Sequence, residues 1–306
     1  MSELLVSICC LTYNHVQFIR QCLDGFVMQK TNFSIEILIH DDASTDGTAD
    51  IIREYEKNYP EIIKPVYQTE NQYSKGISFS QIYNYLNIEG KYIAMCEGDD
   101  YWIDDNKLQK QIDFLENNKE YSICFHSVKV YSEENKNFIT NTIPYVPDST
   151  DINTLAKGNF INTPSVVYRN DKRVFYDYNK FPFLTIGDYI LHMLFAKYGK
   201  IKKLPENMAV YRLHKGGIWG LKPSKYICSN WLKALAVLIN YFRDEQEVCA
   251  ILVEQYRRGS INLYPDIHKD SFYQELERMK NSRSWRITKP LRKMSAFLKS
   301  FFIIKP

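Results

Sequence analysis

Long apolar runs are missing from this 306-residue chain. No stretch, Ala234–Ile239 included, approaches the ~20 residues that a membrane-spanning helix needs. The amino terminus has no basic segment ahead of an apolar one, because its first apolar run, Leu4–Leu11, already reads as a strand, so export is not expected. The seven cysteines (Cys9, Cys10, Cys22, Cys96, Cys124, Cys228 and Cys249) include no C-x-x-C pair and mostly sit in apolar runs. That pattern points to reduced, packed thiols in the cytoplasm. No G-x-G-x-x-G follows the first strand, which argues against a dinucleotide-binding Rossmann enzyme. Acid is missing beyond Glu277, where nine basic residues stand; removing them from the chain's net +3 leaves −6 on residues 1–277. An acidic body with a basic tail argues against nucleic-acid binding and for a tail that meets an anionic surface.

What is present, with 45% hydrophobic residues, is enough to bury a core. The chain is organised around Lys91–Leu108. Tyr92, Ile93, Ala94, Met95 and Cys96 form a short continuous apolar run, the pattern of a strand covered on both faces in a parallel sheet. Glu97, Gly98, Asp99 and Asp100 follow at once. Carboxylates just past the carboxyl end of such a strand lie where open α/β sheets bind ligands, and they suit a hard divalent cation that also grips phosphate oxygens. Tyr101 and Trp102 close the cluster, and Asp104 is expected to cap a helix buried through Leu108, Ile112 and Leu115. A solvated, helix-capping turn would also be acidic, so the neighbouring stretches decide between the readings.

Val6–Leu11 is a strand ending in Thr12, Tyr13 and Asn14, polar residues placed to hold a nucleotide base, although Asn14 alone would serve as an N-cap. A helix follows with Val16, Ile19, Leu23 and Phe26 at helical spacing. Ile35–Ile39 is a second strand; after it, Ser44 or Thr45 is expected to cap the next helix, and Asp42 stands before the cap. A carboxylate there can accept from the imide N–H of a uracil. Ile62–Tyr67 is a third strand, Asn71–Gly76 a loop over the ligand, and Phe79–Leu86 a short helix leading back to the acid cluster. Strands alternating with helices in under a hundred residues form a parallel α/β sheet, a nucleotide-binding half-fold.

Three stretches then carry a resemblance: Val6-Ser7-Ile8-Cys9-Cys10-Leu11-Thr12-Tyr13-Asn14, Asp41-Asp42-Ala43-Ser44-Thr45-Asp46-Gly47-Thr48 and Glu97-Gly98-Asp99-Asp100-Tyr101-Trp102. In order and spacing they resemble family 2 glycosyltransferases of the GT-A fold, over about the first 220 residues. The resemblance implies an α/β, Rossmann-like mixed sheet flanked by helices. It implies that Thr12, Tyr13, Asn14 and Asp42 hold the nucleoside, that Glu97 lies near the ribose, and that Asp99, with Asp100 beside it, ligates Mn²⁺ or Mg²⁺. Glu97 stands where the family usually has Asp, and Ala43 where it often has Gly.

Further on, Tyr121–Tyr131 reads as a strand, Asn135–Thr150 as a long loop, Asp151–Lys157 as a short helix and Val166–Tyr168 as a strand. The stretch Asn162-Thr163-Pro164-Ser165 faces the acceptor in the resembling family. Asp188 opens a helix through Leu191, Leu194 and Phe195; alone it would only favour the helix dipole, but the resemblance makes it the catalytic base. His214, ahead of Gly216 and Gly217, is either a packing residue or a ligand of the metal or diphosphate. Trp219 either stacks on a sugar or covers the site, and Trp102 is a second candidate for the sugar.

The expected division is a catalytic domain over 1–222, a helical appendage over 223–282 and a basic amphipathic tail over 283–306. The appendage would pack on the catalytic domain or on a second copy of the chain. In the tail, Ile287, Leu291, Met294, Leu298 and Phe301 form one helical stripe, with Arg286, Lys289, Arg292, Lys293 and Lys299 between them. The expected partners are therefore a nucleotide-sugar donor, a glycan or lipid-linked glycan acceptor, and the inner face of the cell membrane. Two other readings stay open. A sugar nucleotidyltransferase would share the sheet and the carboxylates, but should carry Gly and Lys in the Thr12–His15 turn, which has neither. An inactive sugar-binding scaffold at the membrane would have no use for Asp99 together with Asp188.

Overall fold

The first strand, β1 (Leu4–Thr12), is buried along both faces, and the sheet grows outward from it. The structure, a computed structural model, describes residues 4–77, 87–140, 145–217 and 222–263. After β1 come α1 (Ile19–Val27), β2 (Ser34–Asp41), α2 (Thr48–Asn58), β3 (Ile63–Tyr67), β4 (Tyr92–Met95), β5 (Tyr101–Trp102) and α3 (Lys107–Asn117). Then follow β6 (Tyr121–Ser132), β7 (Asn137–Ile139), β8 (Ser149–Thr150), α4 (Ile152–Leu155), β9 (Val167–Arg169), α5 (Lys172–Tyr178), α6 (Gly187–Ala196) and β10 (Lys200–Leu213). The ten strands form one sheet with the path β3-β2-β1-β4-β9-β6-β10-β5, while β7 pairs with β6 and β8 with β10.

The first half is parallel: β1 pairs with β2 and β4, and β2 with β3. The second half mixes directions, because β9 runs antiparallel between β4 and β6, whereas β6 and β10 are parallel. Two polar ties fix the amino-terminal edge. The Ser7 hydroxyl donates to buried Glu36 at 2.5 Å and accepts the Gly90 N–H at 2.8 Å, while Lys64 neutralises Glu36 at 2.7 Å.

The helices bury the stripes their spacing predicts: Ile19, Leu23 and Phe26 from α1, and Leu108, Ile112 and Leu115 from α3. Their starts differ from expectation. Asp46, not Ser44 or Thr45, accepts the Thr48 N–H at the head of α2, at 3.0 Å. Ser44 is used elsewhere, donating to Asp41 at 2.5 Å and accepting the Asn14 N–H. Asp104 acts one step early, accepting the Asn106 N–H at 2.8 Å ahead of α3. The long loop predicted over Asn135–Thr150 contains the short strands β7 and β8. The helix expected at Phe79–Leu86 lies outside the described residues.

The chain divides into two units, residues 1–223 and 224–306. In the second, α7 (Ser224–Tyr241) and α8 (Gln246–Leu263) pack on each other, with Leu235, Leu238, Val248 and Leu252 buried and Trp231 Nε1 donating to Gln255 at 2.7 Å. No helix among the described residues is long and apolar enough to cross a membrane. The tail at 283–306 lies outside the described residues.

Trp102, expected at the sugar, is instead a core residue. It is 2% exposed, its Nε1 donates to Pro164 O at 2.9 Å, Phe26 meets it edge-on at 4.8 Å, and buried Lys107 holds Nζ 4.1 Å from its ring centroid. Gly25 lets α1 approach this close, since a Cβ there would lie 2.9 Å from the Trp102 nitrogen. Trp102→Ala should therefore cost about 3–5 kcal/mol of stability. Urea unfolding measures it, and an unchanged midpoint would return Trp102 to the ligand.

Candidate active site

Parallel pairing brings the carboxyl ends of β1, β2 and β4 to one edge, so that Thr12, Asp42 and Glu97 arrive together from positions far apart in sequence. Thr12, Tyr13, Asp42, Glu97, Asp99, Asp188 and His214 all line one cavity of about 630 Å³. Glycine at 98 is required for this closeness, because a Cβ there would meet Thr12 Oγ1 at 2.5 Å and His15 Nδ1 at 3.1 Å.

The acidic turn after β4 is held mainly by one arginine. Arg212, on β10, donates its backbone N–H to Asp100 Oδ1 at 2.7 Å and its Nε to the Asp99 carbonyl at 2.7 Å. Its remaining nitrogens bond Glu133 at 2.6 Å and Gln21 at 2.8 Å, so the guanidinium ties the turn after β4 to the end of β6 and to α1. Burial, followed by the charges of Asp99 and Asp188, pushes the Glu97 carboxyl up to about 8. Asp99 goes the other way. Burial opposes its charge, but the His214 hydrogen bond and nearby His15 outweigh it and hold the group below the usual carboxylate value.

His214 Nε2 lies 2.9 Å from Asp99 Oδ2, and His15 Nε2 lies 3.8 Å from the same oxygen. The two rings meet edge-on at 5.9 Å, with Phe18 packed 4.8 Å from His214. Across the cavity, Asp188 sits in the first turn of α6 and accepts from Asn159 Nδ2 at 3.4 Å. Burial raises its carboxyl above the ordinary range, although the Tyr189 amide and Asn159 pull the other way. Beside it, Tyr168 and His192 form a buried pair at 2.5 Å, and His192 Nε2 has no hydrogen-bond partner among the described residues.

Several candidates take parts the sequence did not suggest. Asn14 does not line the cavity; at φ 54° it ties the first two strand-to-helix turns together, accepting the Thr45 N–H at 2.8 Å. Asp100 does not line the cavity either, since its Oδ1 holds the Arg212 amide. Asp42 reaches the cavity, but its carboxylate accepts the N–H groups of Gln72 at 2.7 Å and Tyr73 at 3.1 Å, fixing the 71–76 segment at the rim. Trp219 lies outside the described residues. His15, Asn159, Tyr168 and His192 were not singled out from the sequence. For His15 a signal existed, a histidine three residues after Thr12 in the same polar turn; for the other three there was none.

A divalent cation fits this chemistry. Asp99 Oδ1 and Asp100 Oδ2 are buried without hydrogen-bond partners among the described residues, a costly arrangement for carboxylate oxygens unless positive charge covers them. His15, Asp99 and His214 place one ligand atom each within 4.8 Å of one another, as do Glu97, Asp99 and Asp100.

The comparisons agree with this geometry. The family model described as Glycosyl transferase family 2 matches residues 7–184. An uncharacterised protein of Mycobacterium tuberculosis (strain H37Rv) is 40% identical over 216 residues, 70% of this chain, which spans 60% of that relative's length. The UDP-Glc:alpha-D-GlcNAc-diphosphoundecaprenol beta-1,3-glucosyltransferase WfaP of Escherichia coli is 30% identical over 236 residues, 76% of this chain and 87% of its own. Residues 1–349 of TarS from S. aureus, solved with UDP-GlcNAc, superpose with a TM-score of 0.62 at 16% identity, covering 88% of this chain and 77% of that one. That likeness fixes the fold as GT-A. The chain belongs to glycosyl transferase family 2.

Proposed function

We propose that the cavity binds a nucleotide sugar, UDP-linked, and transfers its hexosyl or N-acetylhexosaminyl group with inversion to a hydroxyl of a glycan or lipid-linked glycan. The observation that carries this is that Asp99 and Asp188, from separate elements, line the same cavity. An acidic, histidine-flanked end suits a diphosphate with its counter-ion, and a carboxylate of raised proton affinity at the other end suits an acceptor. The E. coli relative, named for UDP-Glc and a diphosphoundecaprenol-linked acceptor, supports the choice of uridine and of a lipid-linked glycan.

Thr12 and Tyr13 at the end of β1 and the Asp42-pinned rim would enclose the base. Glu97 would face the ribose. Asp188 would take the proton from the acceptor hydroxyl as its oxygen bonds to the anomeric carbon and the bond from that carbon to the diphosphate oxygen breaks on the opposite face. Asp99 and His214 would hold a divalent cation, which supplies positive charge against the departing diphosphate. Asn159 and the α6 amides would keep the Asp188 carboxylate aimed at the acceptor. No protein nucleophile is needed, because a single displacement forms no covalent intermediate.

For the tail we keep the sequence-based reading, that residues 283–306 bring the enzyme to an anionic membrane carrying its acceptor. The acidic net charge of residues 1–277 makes the tail the part suited to that surface.

Asp188→Asn should retain nucleotide-sugar binding and lose about two to four powers of ten in transfer rate. In the wild type the base works only when deprotonated, and its pKa is raised, so kcat/KM should fall as pH drops through a value above the ordinary ~3.9. A variant with wild-type turnover on its true acceptor would move the base elsewhere. Sedimentation with anionic vesicles at low salt should bring down the full chain but not a chain ending at Glu277; equal behaviour of the two would remove the tail as an anchor.

A further inference from the structure

Three segments converge on one carboxylate oxygen: the turn after β1 brings His15, the turn after β4 brings Asp99, and the end of β10 brings His214. Both imidazole Nε2 atoms face Asp99 Oδ2, at 3.8 and 2.9 Å, and the three prospective ligand atoms lie within 4.8 Å of one another. All three side chains are largely covered, with 15%, 15% and 10% exposure for His15, Asp99 and His214. The other oxygen of Asp99 is buried and has no hydrogen-bond partner among the described residues.

His15 is oriented for ligation. Its Nδ1 lies 3.2 Å from Thr12 Oγ1, and in the tautomer that donates Nδ1–H to that hydroxyl, Nε2 keeps the lone pair a cation requires. Phe18 and the backbone tie from His15 N to Thr48 Oγ1, at 2.8 Å, limit the ring's movement. Asp100, the alternative third ligand, is committed through Oδ1 to the Arg212 amide and does not line the cavity.

We propose that His15 is a third protein ligand of the cation, completing a set of two imidazoles and one carboxylate that selects a first-row transition ion such as Mn²⁺ over Mg²⁺. The proposal rests on the reading above that Asp99 and His214 hold the cation. Imidazole nitrogen favours the transition ions, whereas Mg²⁺ prefers an octahedron of carboxylate, phosphate and water oxygens. Three protein ligands would leave further positions for diphosphate oxygens.

The test uses the full chain and Mn²⁺ itself, followed by electron paramagnetic resonance with and without UDP, with Mg²⁺ as competitor. The wild type should bind Mn²⁺ at least about tenfold more tightly than Mg²⁺, and its spin-echo modulation should show two imidazole nitrogens. His15→Ala should weaken Mn²⁺ by about tenfold or more, the loss that even an outer-shell contact can cost, while leaving Mg²⁺ within about twofold and removing one nitrogen coupling. The wild-type nitrogen count needs no variant to fold. Bound Mn²⁺ with a single nitrogen coupling, or unchanged affinity in His15→Ala, overturns the role of His15 alone. Failure of the wild type to bind Mn²⁺ even when UDP is bound overturns it together with the metal reading beneath it.

Discussion

Three carboxylates within four consecutive residues, Glu97, Asp99 and Asp100, repel one another, and much of the first unit is arranged to hold them side by side. Arg212 does most of this, spending four donors on the turn and on Glu133 and Gln21. His214 and His15 cover Asp99, while burial and the neighbouring carboxylates push the Glu97 carboxyl up to about 8. On the proposed reading, this turn would meet positive charge brought by a ligand. Burial makes every such interaction stronger than it would be in water.

The sheet explains how the turn comes to face Asp188. Its parallel half delivers three strand ends to a common edge. The switch to antiparallel pairing at β9 then lets the chain return so that α6 and the end of β10 close the same cavity. On the proposed reading, the first half would hold the nucleotide and the second half the acceptor. Asp42 shapes the rim: by accepting the amides of Gln72 and Tyr73 it holds the 71–76 segment beside the cavity.

Strand positions were legible because buried parallel strands leave continuous apolar runs, and β1, β2 and β4 all do. A place at the cavity was legible where a residue closely follows such a run, as Thr12, Asp42, Glu97 and Asp99 do. It was not legible where a side chain's direction depends on tertiary packing. Trp102 ends in the core because α1 approaches through Gly25, and Asn14 and Asp100 are taken up by bonds to Thr45 and Arg212, which no local pattern encodes. His15 stands in the polar turn after β1, but only the fold shows that it and His214, 199 positions later, face one oxygen of Asp99. Short strands such as β7 and β8 carry too few residues to form a period.

The central claim, that this cavity is a nucleotide-sugar site built on Asp99, is tested most directly by calorimetric titration of UDP with and without Mn²⁺ into the wild type and Asp99→Ala. The account predicts Mn²⁺-dependent UDP binding in the wild type, and loss of that dependence in a variant whose unfolding midpoint is unchanged. Equal UDP affinity in the two proteins with Mn²⁺ present would contradict it.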